Sequence, residues 1–176
     1  MAVNFREAGP GIFYTAEPIV TADLGVIKFL KQAALACHKR RSRLCAHPSP
    51  DATQHDMLIV MARDTYVAPH RHLLKSETLL VVEGSARAVI FDDGGAVRDI
   101  IRMGSADSAS AFFYRMPERT YHGILIDTDM LVTLESARGP FRPDETESAP
   151  WAPPPNDFVA GMRYLDALRE KVRKTS

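Results

Sequence analysis

Two histidines and a glutamate stand close together at His70, His72 and Glu77, and a further histidine, His122, follows the pair Met116-Pro117. Imidazole nitrogens and a carboxylate oxygen, with no thiolate beside them, make a nitrogen/oxygen ligand set. Such a set disfavours copper(I) and iron–sulfur chemistry and admits one divalent ion of iron, manganese, nickel, cobalt or zinc. On an octahedral ion, four protein ligands leave two adjacent positions for water, a substrate or dioxygen, the open coordination that catalysis requires.

The spacing says which elements must carry these residues. Residues two apart on a strand point the same way, so His70 and His72 share a face. On a helix they would stand about 200° apart and could not share an ion. Glu77 is at an odd offset from His72 and would face away on a continuous strand. A turn is therefore predicted within Leu73-Leu74-Lys75-Ser76, with Glu77 facing back from the next strand. His122, just past a turn at Pro117, arrives from a different strand again.

The rest of the chain supplies short strands. Arg43–His47, Met57–Met61, Thr78–Val82, Val89–Phe91, Val97–Ile101, Phe112–Tyr114, Ile124–Ile126 and Leu131–Leu134 alternate or run apolar, and Asp92-Asp93-Gly94-Gly95 is a strong hairpin signal. About eight strands at regular spacing with no helix between them predict an antiparallel sandwich or barrel. Residues 102–110, small and polar, read as loop. A helix is predicted with Thr21 as N-cap and an apolar face of Ile27, Leu30, Ala34 and Cys37. Another follows Asn156, with Phe158, Met162, Leu165, Leu168 and Val172 on one face. The predicted organisation is an N-terminal extension and helix (1–42), a β-barrel (43–138), and a Pro-rich tail with a C-terminal helix (139–176).

Of 176 residues, 45% are apolar and 25% charged, with 22 Lys plus Arg against 22 Asp plus Glu. That balance gives no reason to expect a nucleic-acid or membrane-surface partner. The basic cluster Lys39-Arg40-Arg41 with Arg43 reads as a solvated helix end. Cys37 and Cys45 are too few for a disulfide framework. No apolar run approaches membrane-spanning length, and the first residues do not pattern as a signal peptide. A cytoplasmic protein with reduced thiols is the expectation.

His70, His72, Glu77 and Gly84 fit the first motif of the cupin superfamily, with Asp64 where its leading Gly would stand. Pro117 and His122 fit the second, with Ala111, Arg119 and Ile126 at its two Gly and one Asn positions. The flanks Arg41–His47, Gly139-Pro140-Phe141 and Ser148–Pro153 resemble the WbuC-type cupin-fold metalloproteins. The resemblance implies a mainly β, cupin-type double-stranded β-helix (jelly-roll barrel) holding a divalent metal, and an association with surface-polysaccharide metabolism. It implies no particular reaction, since one fold hosts many.

Four further residues are candidates for the pocket around the metal. On the strand before His122 either Phe112 and Tyr114 or Phe113 and Arg115 face inward, and Tyr114 is chosen because a buried hydroxyl suits a hydrogen bond to a ligand. Arg87 either faces inward, to meet a carboxylate or phosphate on a ligand, or outward as a surface charge. Arg43 and His47 form either a pair at the pocket mouth or a polar face of an edge strand. His38 and His55 read as surface histidines, and Glu83 as a strand-end charge. Three functions fit: a metal-dependent enzyme on a small oxygenated molecule such as a sugar or sugar nucleotide (dioxygenase or isomerase/epimerase class), a non-catalytic ligand-binding or sensor protein, or a barrel with a purely structural metal. Strand 78–82 is apolar on both faces, so one face needs cover, from the N-terminal helix or from a second subunit in a homodimer.

Overall fold

The computed structural model describes residues 5–175. Twelve strands and two long helices follow one another in these residues. They are β1 (Phe5–Gly9), β2 (Ile12–Thr15), α1 (Leu24–Ala36), β3 (Arg41–Cys45), β4 (Gln54–Ala62), β5 (His70–His72), β6 (Glu77–Glu83), β7 (Ser85–Phe91), β8 (Val97–Gly104), β9 (Phe113–Met116), β10 (His122–Ile126), β11 (Met130–Arg138), β12 (Thr146–Ser148) and α2 (Phe158–Thr175). A seven-stranded sheet runs β1-β2-β3-β4-β11-β6-β9 and a five-stranded sheet runs β12-β5-β10-β7-β8. The two face each other as the expected cupin-type jelly roll.

Alternation divides the side chains into three layers. Inward residues of both sheets, among them Met61, Leu79, Val81, Ala86, Ala88, Met103 and Leu131, fill the barrel. The outer face of the larger sheet packs Leu44, Val60 and Val132 against Val26, Leu30 and Ala34 of α1. The outer face of the smaller sheet packs Val89, Phe91 and Leu125 against Leu165, Leu168 and Val172 of α2. Each large side chain so buried contributes roughly 1.5–3 kcal/mol.

Several boundaries differ from the sequence reading. The N-cap of α1 is Asp23, not Thr21: its carboxylate accepts from the Val26 amide at 3.0 Å. An Asp two residues on caps as well as a Thr, so composition alone did not separate them. Helix α1 ends before the basic cluster, and the strand expected from Arg43 already begins at Arg41, so Arg41 too lies on β3 rather than in a helix end. Residues 102–104 belong to β8, and only the segment after them is loop. The extensions also supply strands: β1 and β2 continue the larger sheet, and β12 of the Pro-rich tail pairs with β5, Thr146 opposite His72 and Ser148 opposite His70. The hairpin at Asp92 forms as expected, its side chain accepting from Gly94 and Ala96 amides. Helix α1 covers β3, β4 and β11 but not β6, and Val82, Phe113 and Leu134 stay 40–50% exposed on that outer face.

Helix α2 meets the barrel at a glycine. A Cβ on Gly161 would lie 2.3 Å from the buried Tyr66 ring. Alanine ordinarily favours a helix interior over glycine by about 1 kcal/mol, but here overpacking outweighs it. Gly161→Ala is expected to destabilise the protein by about 1–3 kcal/mol, read as a lower urea midpoint with an unchanged slope.

Candidate metal centre

The turn predicted between His72 and Glu77 carries the chain from one sheet to the other. β5 ends at His72 in the five-stranded sheet, and β6 begins at Glu77 in the seven-stranded sheet. β10 lies beside β5 with His122 directly opposite His70. One sheet thus presents three imidazoles to a carboxylate from the other. One nitrogen or oxygen from each of His70, His72, Glu77 and His122 can be chosen so that all four lie within 4.8 Å of one another. Donors held around an ion at roughly 2.1 Å are about 3 Å apart when adjacent and about 4.2 Å apart when opposite, so the set has the dimensions of a coordination sphere.

Hydrogen bonds orient each ring. Nδ1 of His70 lies 3.0 Å from the Ala68 carbonyl, Nδ1 of His122 2.9 Å from the Thr120 carbonyl, and Nδ1 of His72 3.1 Å from Thr146 Oγ1. A carbonyl can only accept, so His70 and His122 carry their proton on Nδ1 and turn a bare Nε2 toward the centre when neutral. This is the arrangement that metal-ligating histidines show. His72 Nε2 and His122 Nε2 each stand 3.0 Å from a different oxygen of Glu77. The latter contact lacks hydrogen-bond geometry, and His122 Nε2 is a buried nitrogen with no hydrogen-bond partner. Tyr114 donates to Glu77 Oε1 at 3.0 Å and fixes the carboxylate.

The electrostatics follow from this packing. Burial, and then the neighbouring His122, pull His70 down to about 4, so it is neutral near pH 7. Burial would lift Glu77, but its contacts with His122 and His72 hold it well below the usual carboxylate range. His122 is raised: burial opposes its charge, and the Glu77 carboxylate outweighs burial. A divalent cation needs an ionised carboxylate and neutral imidazoles, so Glu77 and His70 already stand in the required states, and binding an ion would displace the proton that Glu77 favours on His122.

The site opens on a cavity of about 350 Å³ inside the barrel, walled by the four residues with Tyr114, Ile59, Met61, Leu79, Ile124 and others. Tyr114 is therefore where the sequence reading put it. Arg43 also lines the cavity. Its expected companion does not: His47 lies beyond the end of β3, stacked on His55 with ring centroids 3.9 Å apart. His55 is itself buried rather than superficial. Arg87 is outside the cavity, on the face of β7 that looks toward α2, and forks onto Asp127 at 2.6–3.2 Å. Its carboxylate partner belongs to its own chain. Glu83 is a surface charge as read, paired with Lys31.

Three contributors escaped the sequence reading. Arg41 and Glu135 line the cavity, and Thr146 holds His72. Arg41 shares strand parity with Arg43, and Glu135 shares it with Leu131 and Thr133, so alternation held the signal once the strands were extended to them. Thr146 had none, because its role depends on a tail strand docking beside β5. Glu135 faces Leu79 across the ladder. Burial, then the Glu77 charge, push it up to about 7.

A family model described as a domain of unknown function (DUF6016) matches residues 23–103. No curated protein matches the chain in sequence. Among solved structures, protein SO0799 from Shewanella oneidensis is similar at a TM-score of 0.48 and 13% identity, over 58% of this chain and 66% of that one. An oxalate decarboxylase from Bacillus subtilis is similar at 0.42 and 21%, over 55% of this chain and 24% of that one. A protein described as a sugar phosphate isomerase from Acidithiobacillus ferrooxidans is similar at 0.39 and 19%, over 50% and 51%. The chain thus spans just under two thirds of the Shewanella protein and about a quarter of the decarboxylase.

Glu135 gives a pH-dependent expectation for the metal-free protein. Its raised folded-state value means that the stability it confers is full below its ordinary value of 4.5 and is lost as pH rises through about 7. Glu135→Gln removes that loss. Between about pH 5 and about pH 8 the variant should gain on the order of 2 kcal/mol relative to the parent, measured by denaturant unfolding at each pH in the presence of a chelator.

Proposed function

We propose that the protein holds one divalent transition metal through His70, His72, Glu77 and His122, and acts as a metal-dependent enzyme on a small oxygenated molecule in the adjoining cavity. The observation that carries this reading is the orientation of the imidazoles: every Nδ1 is tied to a protein oxygen, the Nε2 atoms of His72 and His122 stand 3.0 Å from the buried Glu77 carboxylate, and His70 brings a nitrogen within 4.8 Å of the same set. Packing alone has no need of that arrangement.

A bound divalent ion would supply Lewis acidity to an oxygen of the ligand. The chain's own residues do the rest. Thr146 and Tyr114 keep His72 and Glu77 in place. Ile59, Met61, Leu79 and Ile124 exclude water from the cavity wall. The Glu135 carboxyl, part-buried in the cavity wall and pushed up to about 7, is the residue placed to take or give a proton there, and that supports catalysis over binding alone.

The finer parts of the reading belong to the same proposal. A WbuC-type role, with a sugar or sugar nucleotide as ligand in the cytoplasm, is supported by the flanking segments around the barrel. A homodimer is supported by the apolar outer face of β6, β9 and β11, where Val82, Phe113 and Leu134 are part-exposed; sedimentation should give a mass of two chains, and a single chain would refute that part. Among the described residues no helix is long and apolar enough to cross a membrane.

Elemental analysis of protein purified without added metal should give about one transition-metal ion per chain, and His72→Ala and Glu77→Ala should lose it while keeping their far-ultraviolet spectrum. Metal retained at full stoichiometry by both variants would sink the assignment. Thr146→Val leaves all four ligands and frees one ring, so its metal affinity should fall about 10-fold in competition with a chromophoric chelator.

A further inference from the structure

The cavity has a second pole that metal binding does not explain. Arg41 and Arg43 project from the same face of β3 into it. Among the described residues neither enters an ion pair, and Arg43 Nε is buried with no hydrogen-bond partner. Two guanidinium groups two residues apart on one strand face stand roughly 7 Å apart at the backbone. Holding like charges so close in a part-buried position without an ion pair is costly, since such a charge forfeits part of its hydration. Of the two acids lining the cavity, Glu77 is engaged by His72, His122 and Tyr114, and Glu135 acts on the arginines by charge without forming an ion pair with either. A single carboxyl cannot neutralise two arginines. Lys39 adds a further cation at the rim.

We propose that the cavity's ligand is a small organic anion whose carboxylate or phosphate is clamped by Arg43 and Arg41, with its other end reaching the four-residue site. The second half of this rests on the function proposed above; the ligand's charge rests on the arginine pair alone. A planar guanidinium offers two parallel donors to either oxyanion, and both groups share that geometry. Rim cations draw an anion inward. A cavity of about 350 Å³ suits a ligand of monosaccharide-phosphate or sugar-acid size. The metal pole recognises oxygen in any small molecule, whereas the arginine pole rejects a neutral one because its cations would stay unpaired.

The test uses three probes on one scaffold: glucose 6-phosphate, glucuronate and glucose, titrated calorimetrically into the full-length protein loaded with manganese(II). At least one anion should bind and glucose should not, and the stronger anion shows whether phosphate or carboxylate is preferred. Arg43→Met should weaken the anion about 10- to 100-fold, with Arg43→Lys between it and the parent, and all should keep the same metal content. Arg41→Met should act in the same direction. Glucose binding as tightly as the anions, anion affinity unchanged in Arg43→Met, or no binding of either anion to metal-loaded protein would each overturn the assignment. Repeating the titration on metal-free protein separates the two proposals: anion binding that still depends on Arg43 when no metal is retained sustains this one after the other has failed.

Discussion

The barrel closes around one buried carboxylate. Glu77 opens β6 in the larger sheet, and its two oxygens meet His72 and His122 from the smaller sheet and Tyr114 from β9. A charge buried this deeply is stable only where it is fully partnered, so the contacts that satisfy it also register the two sheets. That constraint explains why the turn between His72 and Glu77 changes sheets, why His122 stands opposite His70, and why Tyr114 points inward. Arg119 shows the backbone cost of the arrangement. It adopts a positive φ of 60° where the related motif has a glycine, and its amide donates to the His72 carbonyl at 2.6 Å. The turn before His122 is thus tied to a residue of the site itself.

The cavity beyond that carboxylate is chemically divided. One pole carries imidazoles and a carboxylate, the other two arginines, with apolar side chains and one tunable acid between them. Burial sets each state. It keeps His70 neutral, it raises Glu135, and it leaves Arg43 Nε without a hydrogen-bond partner. An apolar lining strengthens every one of these interactions by lowering the local dielectric.

Legibility followed the range of the interaction. The four metal-site candidates could be read from spacing, because strand parity is a local rule that holds whatever the strand packs against; Tyr114 was chosen between two parities for its hydroxyl. The barrel, the Asp92 hairpin and both long helices were readable for the same reason. Arg87 and His47 stayed open between two readings because parity gives two faces and does not say which one looks inward; Arg87 found Asp127 at a distance of forty residues, and His47 found His55. The basic run at 39–43 read as a helix end because like charges usually seek solvent, yet α1 stops earlier and turns Arg41 and Arg43 into a strand facing the cavity.

What the sequence by itself determined is the set of side chains able to hold a metal and the period that puts them on strands. A two-residue repeat is a property of the chain, and it needs no tertiary partner. What only the tertiary structure decided is the environment: which sheet each ligand comes from, that a tail strand delivers Thr146 to His72, and that Arg41, Arg43 and Glu135 share the metal's cavity. Those depend on residues separated by many tens of positions meeting across a barrel, and on the burial that meeting creates, neither of which any local pattern encodes.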